Sequence, residues 1–200
     1  MSDHGAERGD SPAGTTRRLS PLVGSIFLVL LVIACFGRVA NFDFINYDDP
    51  DYFSNNPHVQ GGLTKENVIW AFQTELLSSR YPLTWLSFML DAELFGKGPV
   101  GPHLVNVGLH AANSVLVFLL LRGLTGSFWR SLFVAALFAV HPLRVEPVAW
   151  ISERKGLLST LFTLLAILAY ARTFKKPGQF PEVGAEAAAT APLGKLACGN

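Results

Sequence analysis

The run Leu19-Ser20-Pro21-Leu22-Val23-Gly24-Ser25-Ile26-Phe27-Leu28-Val29-Leu30-Leu31-Val32-Ile33-Ala34-Cys35-Phe36-Gly37 decides the fold of this 200-residue chain. None of its 19 residues is charged. A helix of that length rises about 28 Å, close to the thickness of a bilayer's hydrocarbon core. Arg17 and Arg18 stand just before it, as in the start of a secretory signal. The run is longer than a typical signal core, however, and no small-x-small cleavage site follows. It reads as a retained transmembrane helix with the arginine pair on the cytoplasmic side.

Composition agrees. Half of the residues are hydrophobic and 16% are charged, and the 15 Phe and four Trp concentrate in or beside apolar runs. That balance belongs to an integral membrane protein. A net charge of +1 with no dense basic cluster gives no footprint for nucleic acid. Cys35 lies inside the first apolar run and Cys198 near the end, so neither a disulfide framework nor a CxxC metal site is available.

Outward from the first run, the chain alternates between membrane-length stretches and polar ones. Residues 1–18 are Gly-, Ser- and Asp-rich without periodicity and read as a disordered cytoplasmic N-terminus. Residues 41–102 form an external loop. In it Thr64 is set to cap a helix running to about Leu77, with Val68, Ile69, Phe72, Leu76 and Leu77 on one stripe. A second short helix is expected from Leu83 to Phe95, where Leu86, Met89, Leu90 and Leu94 recur at helical spacing. Asp91 and Glu93 argue against its crossing the bilayer. Both helices suit the membrane interface, with Trp70, Tyr81 and Trp85 at headgroup depth, or else a small external domain.

Three more spans follow, so the expected boundaries are about 19–40, 103–121, 131–150 and 156–172. The second carries His103, Asn106, His110 and Asn113 on one face. Polar groups so aligned either face a substrate cavity or bond to neighbouring helices. The third meets His141-Pro142 and Pro147, where it either continues to about Trp150 or breaks and lines a cavity. Arg17, Arg18, Arg122, Arg130, Arg172, Lys175 and Lys176 fall on one side, and Arg38, Arg80, Arg144, Arg154 and Lys155 opposite. The bias favours both termini cytoplasmic. Residues 177–200 form a low-complexity tail that cannot bury a core.

Chemistry gathers on the outer face. Asn46-Tyr47-Asp48-Asp49-Pro50-Asp51 places three carboxylates in four residues beside the bilayer. His58 and Arg80 follow, then His141, Arg144, Glu146, Glu153, Arg154 and Lys155. A carboxylate can take a proton from an acceptor hydroxyl, and Arg and Lys can steady a departing phosphate. Mixed acid and base on a membrane face suits transfer from a lipid-linked donor. The Asp pair could also hold a divalent cation, although an Asp-Asp-Pro loop is equally a common turn. His58, His103, His110 and His141 have no metal-ligand spacing.

Four separated motifs then carry a resemblance. They are Phe44-Ile45-Asn46-Tyr47-Asp48-Asp49, Tyr81-Pro82-Leu83-Thr84, His103-Leu104-Val105-Asn106-Val107-Gly108-Leu109-His110 and the run from Val140 to Lys155. Over about residues 20–176 the chain resembles the N-terminal membrane half of bacterial relatives of the transmembrane and tetratricopeptide-repeat O-mannosyltransferases. The resemblance implies an all-α integral membrane protein with part of the GT-C fold, in a bacterial inner membrane. It implies inverting transfer of a sugar from a polyprenyl-phosphate donor to Ser or Thr hydroxyls of an acceptor protein. Asp48 and Asp49 take the place of the family's acidic pair, with Asp48 favoured as base. Arg80, His141, Glu146, Arg154 and Lys155 would contact donor phosphate or sugar. The family continues with further membrane helices and repeats that this sequence lacks, so a truncated form is expected. The alternative is a non-catalytic membrane module that binds lipid or a partner subunit.

Overall fold

The computed structural model describes residues 20–75 and 80–173, and the regular structure among them is helical. Helix α1 (Pro21–Phe36) begins where the Ser20 hydroxyl accepts from the Leu22 N–H at 3.2 Å, with Pro21 at the first helical position. Proline has no N–H to lose there. A 3-10 turn, Gly37–Asn41, extends the apolar span to Pro21–Asn41.

The loop that follows is a small fold of its own. A π-helical turn (Pro50–Ser54) leads to α2 (Pro57–Gln60), capped by the Asn56 side chain, and to α3 (Lys65–Gln73). Thr64 caps α3 as expected, accepting from the Asn67 N–H at 3.2 Å. The helix stops at Gln73, short of the expected Leu77. Leu76 and Leu77 lie outside the described residues, as do Arg17, Arg18, Lys175, Lys176, Cys198 and both terminal segments. Helix α4 (Pro82–Phe95) begins one residue before the expected position.

Which faces these helices bury is informative. α3 buries Asn67 and Ala71 and leaves Ile69 and Phe72 exposed. α4 buries Trp85, Phe88, Met89 and Asp91 and leaves Leu83, Leu90 and Leu94 exposed. Both helices thus carry an apolar face that no described residue covers. Trp85, one of the three aromatics expected at the interface, packs inside the protein. It is wholly buried, stacked on Tyr52 at 4.9 Å between ring centroids and edge-on to Trp70 at 5.3 Å.

Helix α5 (Val100–Thr125) is the central post. α1 runs antiparallel to it. A Cβ on Gly24 would come 2.6 Å from the Phe118 ring, so only glycine allows this approach. Near the other end Phe36 meets His110 edge-on at 5.3 Å. Gly126, left-handed at φ 68°, turns the chain into α6 (Phe128–Val140). The third span then breaks, as one of the two expectations had it. His141 is extended because Pro142 follows, and the axis bends by 57° before α7 (Val145–Ala149). α8 (Arg154–Thr173) runs parallel to α5 and completes a span from Ile151 to Thr173. Arg154 and Lys155 therefore open a membrane helix and do not belong to the preceding loop.

Among the described residues three helices are long and apolar enough to cross a membrane, or four if the bent pair counts as one broken span. The chain is an all-α multi-pass membrane protein. Three of the four polar residues on the face of α5 bond to neighbouring segments. His110 donates to the Ala139 carbonyl at 2.9 Å, Asn113 to Leu157 at 3.0 Å and Asn106 to Trp150 at 3.3 Å. His103 is buried with its ring edge-on to Phe42, 6.5 Å between centroids.

Candidate functional site

The up-and-down course of the helices brings the loop after α1 and the turn before α8 to the same end of the bundle. Asp49 joins them. Its side chain is fully buried, one oxygen accepting from the Ile45 N–H at 2.8 Å and the other from the Ser152 N–H at 3.1 Å. Two backbone donors thus hold a carboxylate between loops 103 residues apart in sequence. Asp48 differs in burial and in bonding. It is half-buried, and among the described residues its carboxylate has no hydrogen bond or ion pair.

Behind Asp48 lies Tyr52, whose N–H donates to the Asp48 carbonyl at 3.0 Å and whose side chain is 1% exposed. Burial pushes the Tyr52 phenol above its ordinary value near 10, and the Lys155 ammonium pulls it back. Tyr81, Asp48 and Glu153 add to the upward push, so all of these groups act on one phenol. Lys155 sits 5.4 Å from the Tyr52 ring centre and 5.7 Å from that of Tyr81. Its Nζ pairs with Glu153 at 3.0 Å, and both side chains are about a quarter exposed (26% and 27%). Asp48, Tyr52, Tyr81, Glu153 and Lys155 make one cluster, of which all but Tyr52 are partly exposed.

The other residues singled out from the sequence divide differently. Arg154 is fully buried and engaged on every side. It pairs with Asp91 at 2.5 Å and donates to Asn106 Oδ1 at 2.7 Å, the Pro102 carbonyl at 2.8 Å and Ser87 Oγ at 3.3 Å, over the Phe88 ring. Four of the five guanidinium N–H groups are thus engaged inside the protein, and the side chain braces α4 and α5 against α8. Arg80 is exposed and paired with Glu75. His141 is exposed, its Nδ1 accepting from the Leu143 N–H at 3.3 Å, and Glu146 is exposed nearby. No hydrogen bond or ion pair among the described residues joins His141, Arg144 or Glu146 to the Asp48 cluster. His141 and Arg144 instead edge a cavity of about 510 Å³ lined by Val134, Leu137, Phe138 and Leu143. The Arg144 guanidinium lies 4.2 Å over the Phe138 ring.

The structure offers no side-chain cage for a divalent cation among the described residues. Among the described residues no group of three or more His, Cys, Asp or Glu could hold one. Sequence reasoning placed Glu153 on the outer face but missed Asp91 and Tyr52 as partners. For Asp91 the signal was a carboxylate opposite the exposed leucines of α4. Nothing local marked Tyr52.

No protein-family model matches the chain, and no solved structure does. Curated relatives do. The protein O-mannosyl-transferase TMTC4 of Mus musculus is 36% identical over 182 residues, which cover 80% of this chain and 24% of that protein. Tmtc1 of Drosophila melanogaster is 38% identical over 151 residues, 71% of this chain and 17% of that protein. TMTC1 of Homo sapiens is 33% identical over 176 residues, 82% of this chain and 20% of that protein. The chain thus spans about a quarter or less of the length of these relatives, all of them named protein O-mannosyl-transferases.

Proposed function

We propose that this chain forms the membrane part of a GT-C-type glycosyltransferase. It passes a sugar from a polyprenyl-phosphate donor to Ser or Thr hydroxyls of an acceptor protein. The observation that carries the reading is the division of labour within the acidic pair. Asp49 is tied between two loops, which leaves Asp48 as the carboxylate free to accept a hydroxyl proton. Lys155, held between two tyrosine rings beside it, supplies positive charge for the departing phosphate. Arg154 serves the scaffold.

The bent third span supports a lipid-linked donor. Its cavity is apolar along Val134, Leu137 and Phe138, with His141 and Arg144 at the polar edge. We assign the isoprenoid chain to it. Glu146 and Arg80 lie on the outer rim, where they could meet the sugar or the acceptor. The exposed apolar stripes of α3 and α4 rest on the membrane surface, the loop between α1 and α5 faces outward, and both termini are cytoplasmic. The membrane is a bacterial inner membrane in this reading.

The test is transfer itself. Membranes carrying the protein, given a polyprenyl-phosphate mannose and a Ser/Thr-rich peptide, should yield mannosylated peptide by mass spectrometry. Inserted, folded protein that transfers nothing from any polyprenyl-phosphate sugar would favour the non-catalytic module.

A further inference from the structure

We infer that Glu153 sets the charge selectivity of the donor site, favouring the singly charged phosphodiester of a sugar-loaded lipid over the doubly charged phosphomonoester left after transfer. The inference rests on the proposed function and names a residue that reading does not use. Glu153 and Lys155 pair at 3.0 Å, and each remains about a quarter exposed (26% and 27%), so an anion arriving from the loop side meets both. Lys155 cannot swing far from Glu153. The rings of Tyr52 and Tyr81 confine its ammonium, and the neighbouring Arg154 pins the start of α8 through Asp91, Asn106 and Pro102. Asp48 adds a second carboxylate acting on the same buried phenol. Among the described residues the one carboxylate paired with this cation is Glu153.

The reaction changes the charge of what lies there. The acceptor oxygen forms a bond to the sugar's anomeric carbon as the bond from that carbon to the phosphate oxygen breaks. The electron pair of the broken bond stays on the phosphate, and the hydroxyl proton passes to Asp48. A phosphodiester carrying one negative charge becomes a monoester carrying between about −1.5 and −2 at neutral pH. The added charge develops beside Glu153, whose repulsion speeds release of the spent lipid and keeps it from competing with fresh donor.

Binding to the purified protein in detergent micelles tests this without any need for turnover. The probes are a short-chain polyprenyl phosphate and its methyl ester, with inorganic phosphate as competitor. The unmodified protein should prefer the methyl ester. Glu153→Gln should tighten the monoester on the order of tenfold and the ester by less, as removal of one nearby charge predicts. Glu153→Asp should keep the original preference. An unchanged monoester-to-ester ratio in Glu153→Gln, or weaker binding of both, overturns the role of Glu153 alone. Lys155→Ala should weaken both lipids. No effect of Lys155→Ala on either lipid, or inorganic phosphate binding as tightly as the lipid monoester, overturns the donor site itself.

Discussion

At the residue scale, neighbouring side chains of like chemistry have been given different work by the fold. Asp48 and Asp49 differ in burial and in bonding; so do Arg154 and Lys155. The acidic pair could be found in the sequence because it stands out beside an apolar run. Which carboxylate stays free could not be, because that depends on the Ser152 N–H arriving from a distant turn. For Arg154 and Lys155, sequence position suggested a shared role, and burial separates them. The Tyr52 phenol offers a spectroscopic check on the cluster. Its neutral form is favoured, so whatever stability it lends is present below the ordinary tyrosine range and lost as pH rises through its raised value. Ultraviolet titration should show one tyrosine ionising later than the rest, absent in Tyr52→Phe. Lys155→Ala should delay it further, since the ammonium that pulls the phenol down is gone. An earlier transition in Lys155→Ala would place the lysine elsewhere.

At the scale of elements, helices were legible wherever apolar length or a cap announced them, and their buried faces were not. The Thr64 cap and the Pro82 start follow from local chemistry, whereas hydrophobic periodicity pointed to faces that turn away from the protein. Periodicity marks the apolar side of a helix and leaves open whether lipid or protein covers it. The brace at Arg154 is the test of how α4 is held. Removing one charge of a buried pair strands the other, so Asp91→Asn should lower stability by about 3–5 kcal/mol. The double variant Asp91→Leu with Arg154→Met should recover much of the loss, as thermal unfolding in detergent would read. Gly24→Val should force α1 from α5 and cost about 1–3 kcal/mol by overpacking. A Gly24→Val protein as stable as the original would contradict the close helix contact.

At the scale of the whole molecule, the alternating course of the spans decides what can meet. Loops that are far apart in sequence share one end because α1 and α6 run one way and α5 and α8 the other. The number of spans could be read from length and charge, while the break at His141-Pro142 stayed open, since proline either kinks or ends a helix. Cysteine labelling checks the proposed orientation in a background lacking Cys35 and Cys198. An impermeant maleimide should reach Asp51→Cys from outside and Arg130→Cys only after the membrane is opened. Labelling of both from the same side would break the four-span topology.

The division between Asp48 and Asp49 bears most directly on function, and sugar transfer by the two single variants measures it. Asp48→Asn should lower transfer by about 10²–10⁴-fold with thermal stability unchanged, the loss typical of a missing general base. Asp49→Asn should instead lower stability by about 1–3 kcal/mol, because its amide NH2 leaves one of the two backbone donors without an acceptor. Transfer that survives Asp48→Asn intact would contradict the assignment.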